Sequence, residues 1–345
     1  MLNLKKPSKL CPGDKVALVS LSWGAAGDED LNWRYRQGKE RIEKLLGVKA
    51  VGMPNTLKGT NYLYEHPEKR AEDLMEAFSD KTIKGIISCI GGEETIRLIP
   101  YIDYTVISSN PKIFMGYSDT TVNHFMCLKA GISSFYGPSV LSDFSENVEV
   151  PAYTVNCVKQ ALFSSDPIGK IEPCDLFTEE YLDWDESKKD KKRTFLQNSG
   201  YELLQGSRTV KGRLIGGCVE AMSQIRGTEL FPPADAFENT IFFLETSEDP
   251  PPPWDIEKEL RSYGTMGILS KISALFFGKP RGKNNYKEYK KSIIKVMKEY
   301  GCSNVPVLYN GSFGHNAPKA VLPYGAMAEI NCESKSFSII ESAVL

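Results

Sequence analysis

A chain of 345 residues with 41% apolar and 25% charged residues can fill more than one core, and its formal net charge of -2 leaves no basic excess for nucleic acid. No stretch reaches the length of a membrane span and the N-terminus lacks the apolar core of a signal peptide, so a cytoplasmic protein is expected, with neither nucleic acid nor membrane as partner. Eight cysteines stand singly and three histidines are scattered, which predicts reduced core thiols and no metal site.

In chain order, Lys15 to Leu21 is a β-branched apolar run introduced by Pro12-Gly13-Asp14, and it reads as a buried first strand. A helix is predicted to about Leu46, then a short strand from Val48 to Met53. Pro67 to Phe78 reads as a helix that starts on proline and acids and sets Ala71, Leu74, Met75 and Phe78 on one face. Gly85 to Ile90 is a third strand ending in Gly91-Gly92-Glu93-Glu94, where two glycines let backbone approach a ligand and the acids open a helix carrying Ile96, Leu98 and Ile99. Lys112 to Met115 is a fourth strand. It breaks off at Gly116-Tyr117-Ser118-Asp119, followed by helix-starting residues, which is a strand, a sharp turn and a helix. A serine at such a turn stands above the sheet edge beside free N–H groups, although Ser118 reads equally as a helix N-cap. Alternating strands and helices predict parallel pairing, with ligands bound at the carboxyl ends of the strands.

A helix from Pro151 to Phe163 closes a first unit at residues 1–165. Residues 166–207 read as a crossover segment and substrate loop, dense in charge from Glu179 to Arg193, with Trp184 either anchoring the loop or meeting substrate. The unit at residues 208–345 begins with a strand and glycine turn, Lys211 to Gly217, and a helix candidate from Cys218 to Ile225. The buried strand Thr240 to Leu244 delivers Glu245 just before a rigid loop with four prolines, Pro250 to Pro253; Glu245 is either a helix cap or the acid that orients a histidine. Further helices and strands lead to His315, which has Gly314 before it and Pro318 after it. It therefore sits in a loop, where a functional role is favoured, whereas His66 precedes a proline at a helix start and His124 lies inside a helix pattern, and both read as structural or surface residues. Serine, glutamate and histidine in this order can perform acyl transfer.

Several motifs resemble one family over nearly the whole length. They are Leu10-Cys11-Pro12-Gly13-Asp14-Lys15-Val16-Ala17, Arg70-Ala71-Glu72-Asp73-Leu74, Ile90-Gly91-Gly92, Gly116-Tyr117-Ser118-Asp119, Leu214-Ile215-Gly216-Gly217, Phe243-Leu244-Glu245 and Gly314-His315. The chain is similar to the serine carboxypeptidases of the LD-carboxypeptidase and microcin-immunity type, peptidase family S66. The resemblance implies a triad of Ser118, Glu245 and His315, an oxyanion hole from the backbone N–H groups of Gly92 and Asp119, and no cofactor. It also implies an N-terminal doubly wound, mostly parallel α/β domain, a C-terminal α/β domain with a small barrel-like sheet, and a homodimer. Two positions depart from the murein enzymes: Glu93-Glu94 follow the first glycine pair, and Cys218 replaces an asparagine after the second. Glu93-Glu94 and the charged loop around Trp184 favour aminoacyl- or peptidyl-nucleotide conjugates, with Gly91, Glu93 and Trp184 as substrate contacts. A murein tetrapeptide carboxypeptidase is the alternative, and a binding protein that sequesters a peptide or nucleotide conjugate without cleaving it is a third reading.

Overall fold

The computed structural model describes residues 3–345. Strands β1 (Lys15–Val19), β2 (Lys49–Gly52), β3 (Ile83–Ser88), β4 (Ile113–Gly116) and β5 (Phe135–Tyr136) alternate with helices α1 (Asn32–Leu46), α2 (Thr60–Glu65), α3 (Pro67–Ser79), α4 (Tyr104–Ser109) and α5 (Thr121–Lys129). Helix α6 (Ala152–Phe163) and the short strands β6 (Gly169–Ile171), β7 (Leu176–Phe177), β8 (Leu196–Gln197) and β9 (Glu202–Gln205) lead into the second half. There β10 (Val210–Cys218), α7 (Val219–Ile225), β11 (Thr240–Glu245), α8 (Pro253–Thr265), β12 (Ala274–Gly278), α9 (Lys283–Glu299) and β13 (Val307–Gly311) precede three closing strands, β14 (Leu322–Pro323), β15 (Met327–Asn331) and β16 (Ser336–Ile339).

The apolar runs become central strands because both of their faces are covered, as parallel sheets require. The first sheet has six strands in the order β14-β5-β4-β3-β1-β2, parallel except for the antiparallel contact of β14 with β5. Strand order reverses at β1, because β2 lies on one side of it and β3 on the other. Loops leaving the carboxyl ends of β1 and β3 therefore diverge and leave a crevice, the usual ligand position in such a sheet. The second sheet has eight strands in the order β6-β16-β15-β10-β11-β12-β13-β9 and curls into a half-barrel. Its centre, β10 to β13, is parallel and its flanks are antiparallel. Every residue of β11 is buried.

The structure departs from the sequence reading where short-range signals are weak. Thr95–Tyr101, expected as the start of a helix, is a 3-10 turn containing Pro100, which has no N–H to continue an α-helix. Helices α2 and α4 were not anticipated, although Asp103 caps α4 by accepting the N–H groups of Thr105 and Val106. The segment 166–207 is more than a crossover, since β6 and β9 form the two edges of the second sheet and β7 pairs with β8. Strand β14, late in the chain, pairs with the first sheet.

The two sheets meet behind helix α5. A side chain on Gly217, which has a φ of +143°, would place its Cβ 2.4 Å from Thr121 Cγ2, so only glycine permits this approach. The N–H of Cys218 then donates to Thr121 Oγ1 at 3.1 Å. One turn further along α5, His124 is fully buried between Ser134 Oγ (2.9 Å from Nδ1) and the carbonyl of Gly116 (3.0 Å from Nε2). The carbonyl can only accept, so Nε2 carries the proton and Nδ1 accepts from the serine.

Burial lowers the pKa of His124 from 6.5 to about 3. Between those values the unfolded chain binds a proton that the folded chain refuses, so stability rises with pH there, by ~1.4 kcal/mol per unit from this one group. His124→Gln should flatten the acid side of a plot of melting temperature against pH while lowering the melting temperature at neutral pH. An unchanged acid slope would contradict the assignment of His124 as a buried neutral group.

Candidate active site

The turn after β4 puts Ser118 at a φ of +67°, a conformation costly for any residue with a Cβ and tolerated only where surrounding contacts enforce it. Glycines make room for it. A Cβ on Gly91 would lie 2.8 Å from Ser118 Oγ, and one on Gly116 would lie 2.6 Å from Thr120 Cγ2. Ser118 makes no cap bond to the turn or helix that it opens. Its hydroxyl instead lies 2.9 Å from His315 Nε2.

His315 and Glu245 come from the second sheet. Glu245 ends β11 and is 1% exposed; it is packed so closely that a Cβ on Gly314 would meet its carboxylate at 2.3 Å. Its Oε2 accepts the main-chain N–H of His315 at 3.0 Å and the ring Nδ1–H at 2.8 Å. With Nδ1 protonated against a carboxylate, Nε2 presents a lone pair to the serine hydroxyl, the tautomer that general-base catalysis needs. Glu245 does not cap helix α8, whose N-cap is Pro252; its carboxylate hydrogen-bonds His315 instead.

The glycine loop after β3 is fastened to the serine turn by a buried polar network that the sequence reading missed. Ser22 Oγ donates to Asp119 Oδ2 at 2.6 Å and accepts the N–H of Glu94 at 3.1 Å, and Asp119 Oδ2 also accepts the N–H of Thr95 at 2.8 Å. Arg70, fully buried on α3, donates to the carbonyls of Leu21 and Ser22 at 3.3 and 3.1 Å. Burial raises the pKa of Asp119 against the pull of these donors. The backbone N–H groups of Gly92 and Asp119 hydrogen-bond to no group among the described residues, as donors reserved for an oxyanion would. The signal available for Arg70 was a charged residue on the helix face that also carries Leu74 and Ala77; Ser22 carried none.

Ser118, His315, Gly91 and Gly92 line a cleft of about 530 Å³ together with Trp23, Arg34, Tyr181 and Trp184. The rings of Trp23 and Trp184 are nearly parallel at 13°, with centroids 6.3 Å apart. Trp184 is also the packing anchor that the sequence allowed, because its carbonyl accepts the Trp33 indole N–H at 3.0 Å and the guanidinium of Arg34 lies 4.5 Å from its ring centroid. Glu93 is exposed and stands outside the residues lining the cleft. Cys218, Glu245 and His315 form the one group of possible metal ligands among the described residues, with ligand atoms within 4.8 Å of one another. Burial and then the nearby Glu245 charge push the Cys218 thiol well above its ordinary pKa, and both nitrogens of His315 already carry hydrogen bonds.

The sequence matches the family models described as LD-carboxypeptidase N-terminal domain over residues 16–137 and LD-carboxypeptidase C-terminal domain over residues 211–330. The chain belongs to the LD-carboxypeptidase family. Among relatives, the microcin C7 self-immunity protein MccF of Escherichia coli is 27% identical over 334 residues, covering 96% of this chain and 94% of that one. A structure of MccF in complex with aspartyl sulfamoyl adenosine matches at a TM-score of 0.87 and 26% identity, over 99% of this chain and 100% of that one. An MccF-like protein from Streptococcus pneumoniae in complex with AMP matches at a TM-score of 0.88 and 34% identity, over 94% and 98% of the two chains. The probable murein peptide carboxypeptidase of Bacillus subtilis is 26% identical over 347 residues, covering 98% of this chain and 95% of that one. The fold of this LD-carboxypeptidase family member is thus the mixed α/β fold of the MccF structures.

A second carboxylate faces the histidine. Glu248 Oε2 is 3.2 Å from His315 Nε2, on a side chain 61% exposed. Burial pulls the pKa of His315 down, but Glu245 first and Glu248 next outweigh it and hold the pKa above the ordinary value of 6.5, while Lys319 opposes them. A base works only when neutral, so kcat/KM should rise with pH through a midpoint above that ordinary value. In Glu248→Gln the acid-side midpoint of the pH profile should move down; a midpoint that stays put would remove Glu248 from the electrostatics of this site.

Proposed function

We propose that this LD-carboxypeptidase family member is a serine hydrolase that cleaves an amide or peptide bond through an acyl-enzyme. The observation that carries the reading is the continuous relay from Ser118 Oγ to His315 Nε2 at 2.9 Å and from His315 Nδ1 to Glu245 Oε2 at 2.8 Å. In the proposed sequence Ser118 Oγ attacks the carbonyl carbon as its proton passes to His315 Nε2, and Glu245 stabilises the imidazolium. The N–H groups of Gly92 and Asp119 hold the oxyanion. His315 then protonates the departing amine, and a water activated by the same nitrogen releases the acid and regenerates the serine. A protein that only sequesters its ligand would have no use for a nucleophile held at positive φ against a paired base.

For substrate we favour an aminoacyl- or peptidyl-nucleotide conjugate. Its support is the near-parallel pair Trp23 and Trp184 in the cleft wall, an aromatic surface for a base, together with the likeness to MccF and its pneumococcal relative. Murein tetrapeptides are the second reading. Lys279 and Arg281, in the pocket that adjoins His315, supply the cations a terminal carboxylate would need, and a murein peptide carboxypeptidase is among the relatives. We place the protein in the cytoplasm, in keeping with eight unpaired cysteines, and take a homodimer as its working form.

Ser118→Ala should lower turnover by about 10⁴- to 10⁶-fold with folding and ligand binding retained; a variant that keeps its activity would end the serine mechanism. Side by side, an aminoacyl sulfamoyl adenosine should be cleaved in preference to a murein tetrapeptide. Trp184→Ala should raise KM for the nucleotide conjugate roughly 5- to 100-fold, the worth of one base stack, and spare the tetrapeptide. Release of D-alanine from the tetrapeptide alone, indifferent to Trp184→Ala, would return the protein to cell-wall peptides.

A further inference from the structure

The orienting acid has a partner that the triad leaves out. Glu245 Oε2 is occupied by the two N–H groups of His315, whereas Oε1 accepts one hydrogen bond, from the hydroxyl of Tyr136. Tyr136 ends β5 and is fully buried. While its O–H donates to the carboxylate, its oxygen accepts the backbone N–H of Ser118 at 3.2 Å. The bonds therefore close on themselves: Ser118 hydroxyl to His315, His315 to Glu245, Glu245 to Tyr136, and Tyr136 to Ser118 backbone.

We infer that Tyr136 is a positioning residue for the proposed serine mechanism, locking the Glu245 carboxylate toward His315 and tying it to the strained serine turn. The inference rests on that mechanism. Carboxylate rotation about its last side-chain bond is broad and unfavoured in any one setting, so a donor on each oxygen fixes the plane in which Oε2 meets Nδ1. A phenol that is a core residue alone would not place both of its hydrogen bonds within one catalytic circuit. The electrostatics agree: burial, and after it the charge of Glu245, raises the Tyr136 pKa well above its ordinary value, so the hydroxyl stays a donor throughout the working range. The charge it stabilises on Glu245 is charge that no longer pulls on the imidazolium. Groups facing this circuit from the surrounding elements are Glu248 and Lys319 toward His315, Cys218 and Tyr324 toward Tyr136 and Glu245, Tyr117 against the His315 ring, and neutral His124 beside Tyr136.

The test is Tyr136→Phe, which keeps the ring and removes the hydroxyl. With the better of the two substrates above, kcat/KM should fall about 10- to 100-fold, the worth of one hydrogen bond to a charged group. The acid-side midpoint of its pH profile should move up by about half a unit to one unit, because a less stabilised carboxylate makes His315 more basic. In the Glu245→Gln background the same substitution should cost less than about 3-fold, since the bond it removes has lost its charge. Should the phenylalanine variant fold poorly, 3-fluorotyrosine at position 136, the same shape with a stronger donor, should move the midpoint down. An unmoved midpoint in these variants, or a loss equally large in the Glu245→Gln background, would overturn the assignment of Tyr136 alone. Activity surviving Ser118→Ala would overturn the serine mechanism and this inference with it.

Discussion

One contact 2.9 Å long, Ser118 Oγ to His315 Nε2, joins side chains that belong to different sheets, and much of the surrounding structure serves to hold its two ends in register. The serine end is set by a turn at a φ of +67°, packed against Gly91. The histidine end is set by Glu245 through two N–H groups. A hydrogen bond between groups on separate units would be lost to small shifts of one sheet against the other. The approach of Gly217 to Thr121 and the bond from Cys218 to the same threonine oppose such shifts three residues from Ser118. Gly216-Gly217, a turn in the sequence motif, is thus in the structure the seam between the sheets.

The electrostatics of the cleft follow from which charges are already spent. Arg34 gives its guanidinium to the carbonyls of Leu141 and Ser145 and to Asn147 Oδ1, and Arg193 is paired with Glu146. Lys319, buried against Asp143 at 2.9 Å, lies with its ammonium 3.4 Å from the Tyr117 ring centroid, and Tyr117 in turn packs edge-on against His315. The carboxylates that lie directly against His315 are those of Glu245 and Glu248. Their charge favours the protonated imidazole, so His315 loses its free lone pair earlier as pH falls than an ordinary histidine would.

Much of this is legible in the sequence. Strands such as β1, β3, β4 and β11 are apolar runs bounded by turn residues, and burial on both faces is what such runs are for. Two-residue strands such as β5 and β14 have no local signature, because their pairing is decided by partners far away in the chain. The same division holds at the site. Ser118, Glu245 and His315 each stand on a local feature, a glycine-flanked turn, a strand end before prolines, and a glycine loop. Tyr136 and Ser22 act on residues 109 and 97 positions away in sequence, and nothing around Phe135-Tyr136 or Ser20 to Ser22 marks a hydroxyl with a special partner. Glu93 follows the glycine pair directly, yet it is exposed and lies outside the residues that line the cleft.

The central claim is that the relay makes Ser118 an activated nucleophile. The most direct measurement is covalent labelling by a phosphonofluoridate with the modified site located by peptide mass spectrometry, in the unaltered protein and in His315→Ala. The account predicts one label per chain, on Ser118, and labelling slowed by orders of magnitude without His315. Absence of labelling in the unaltered, folded protein, or equal labelling without His315, would contradict it.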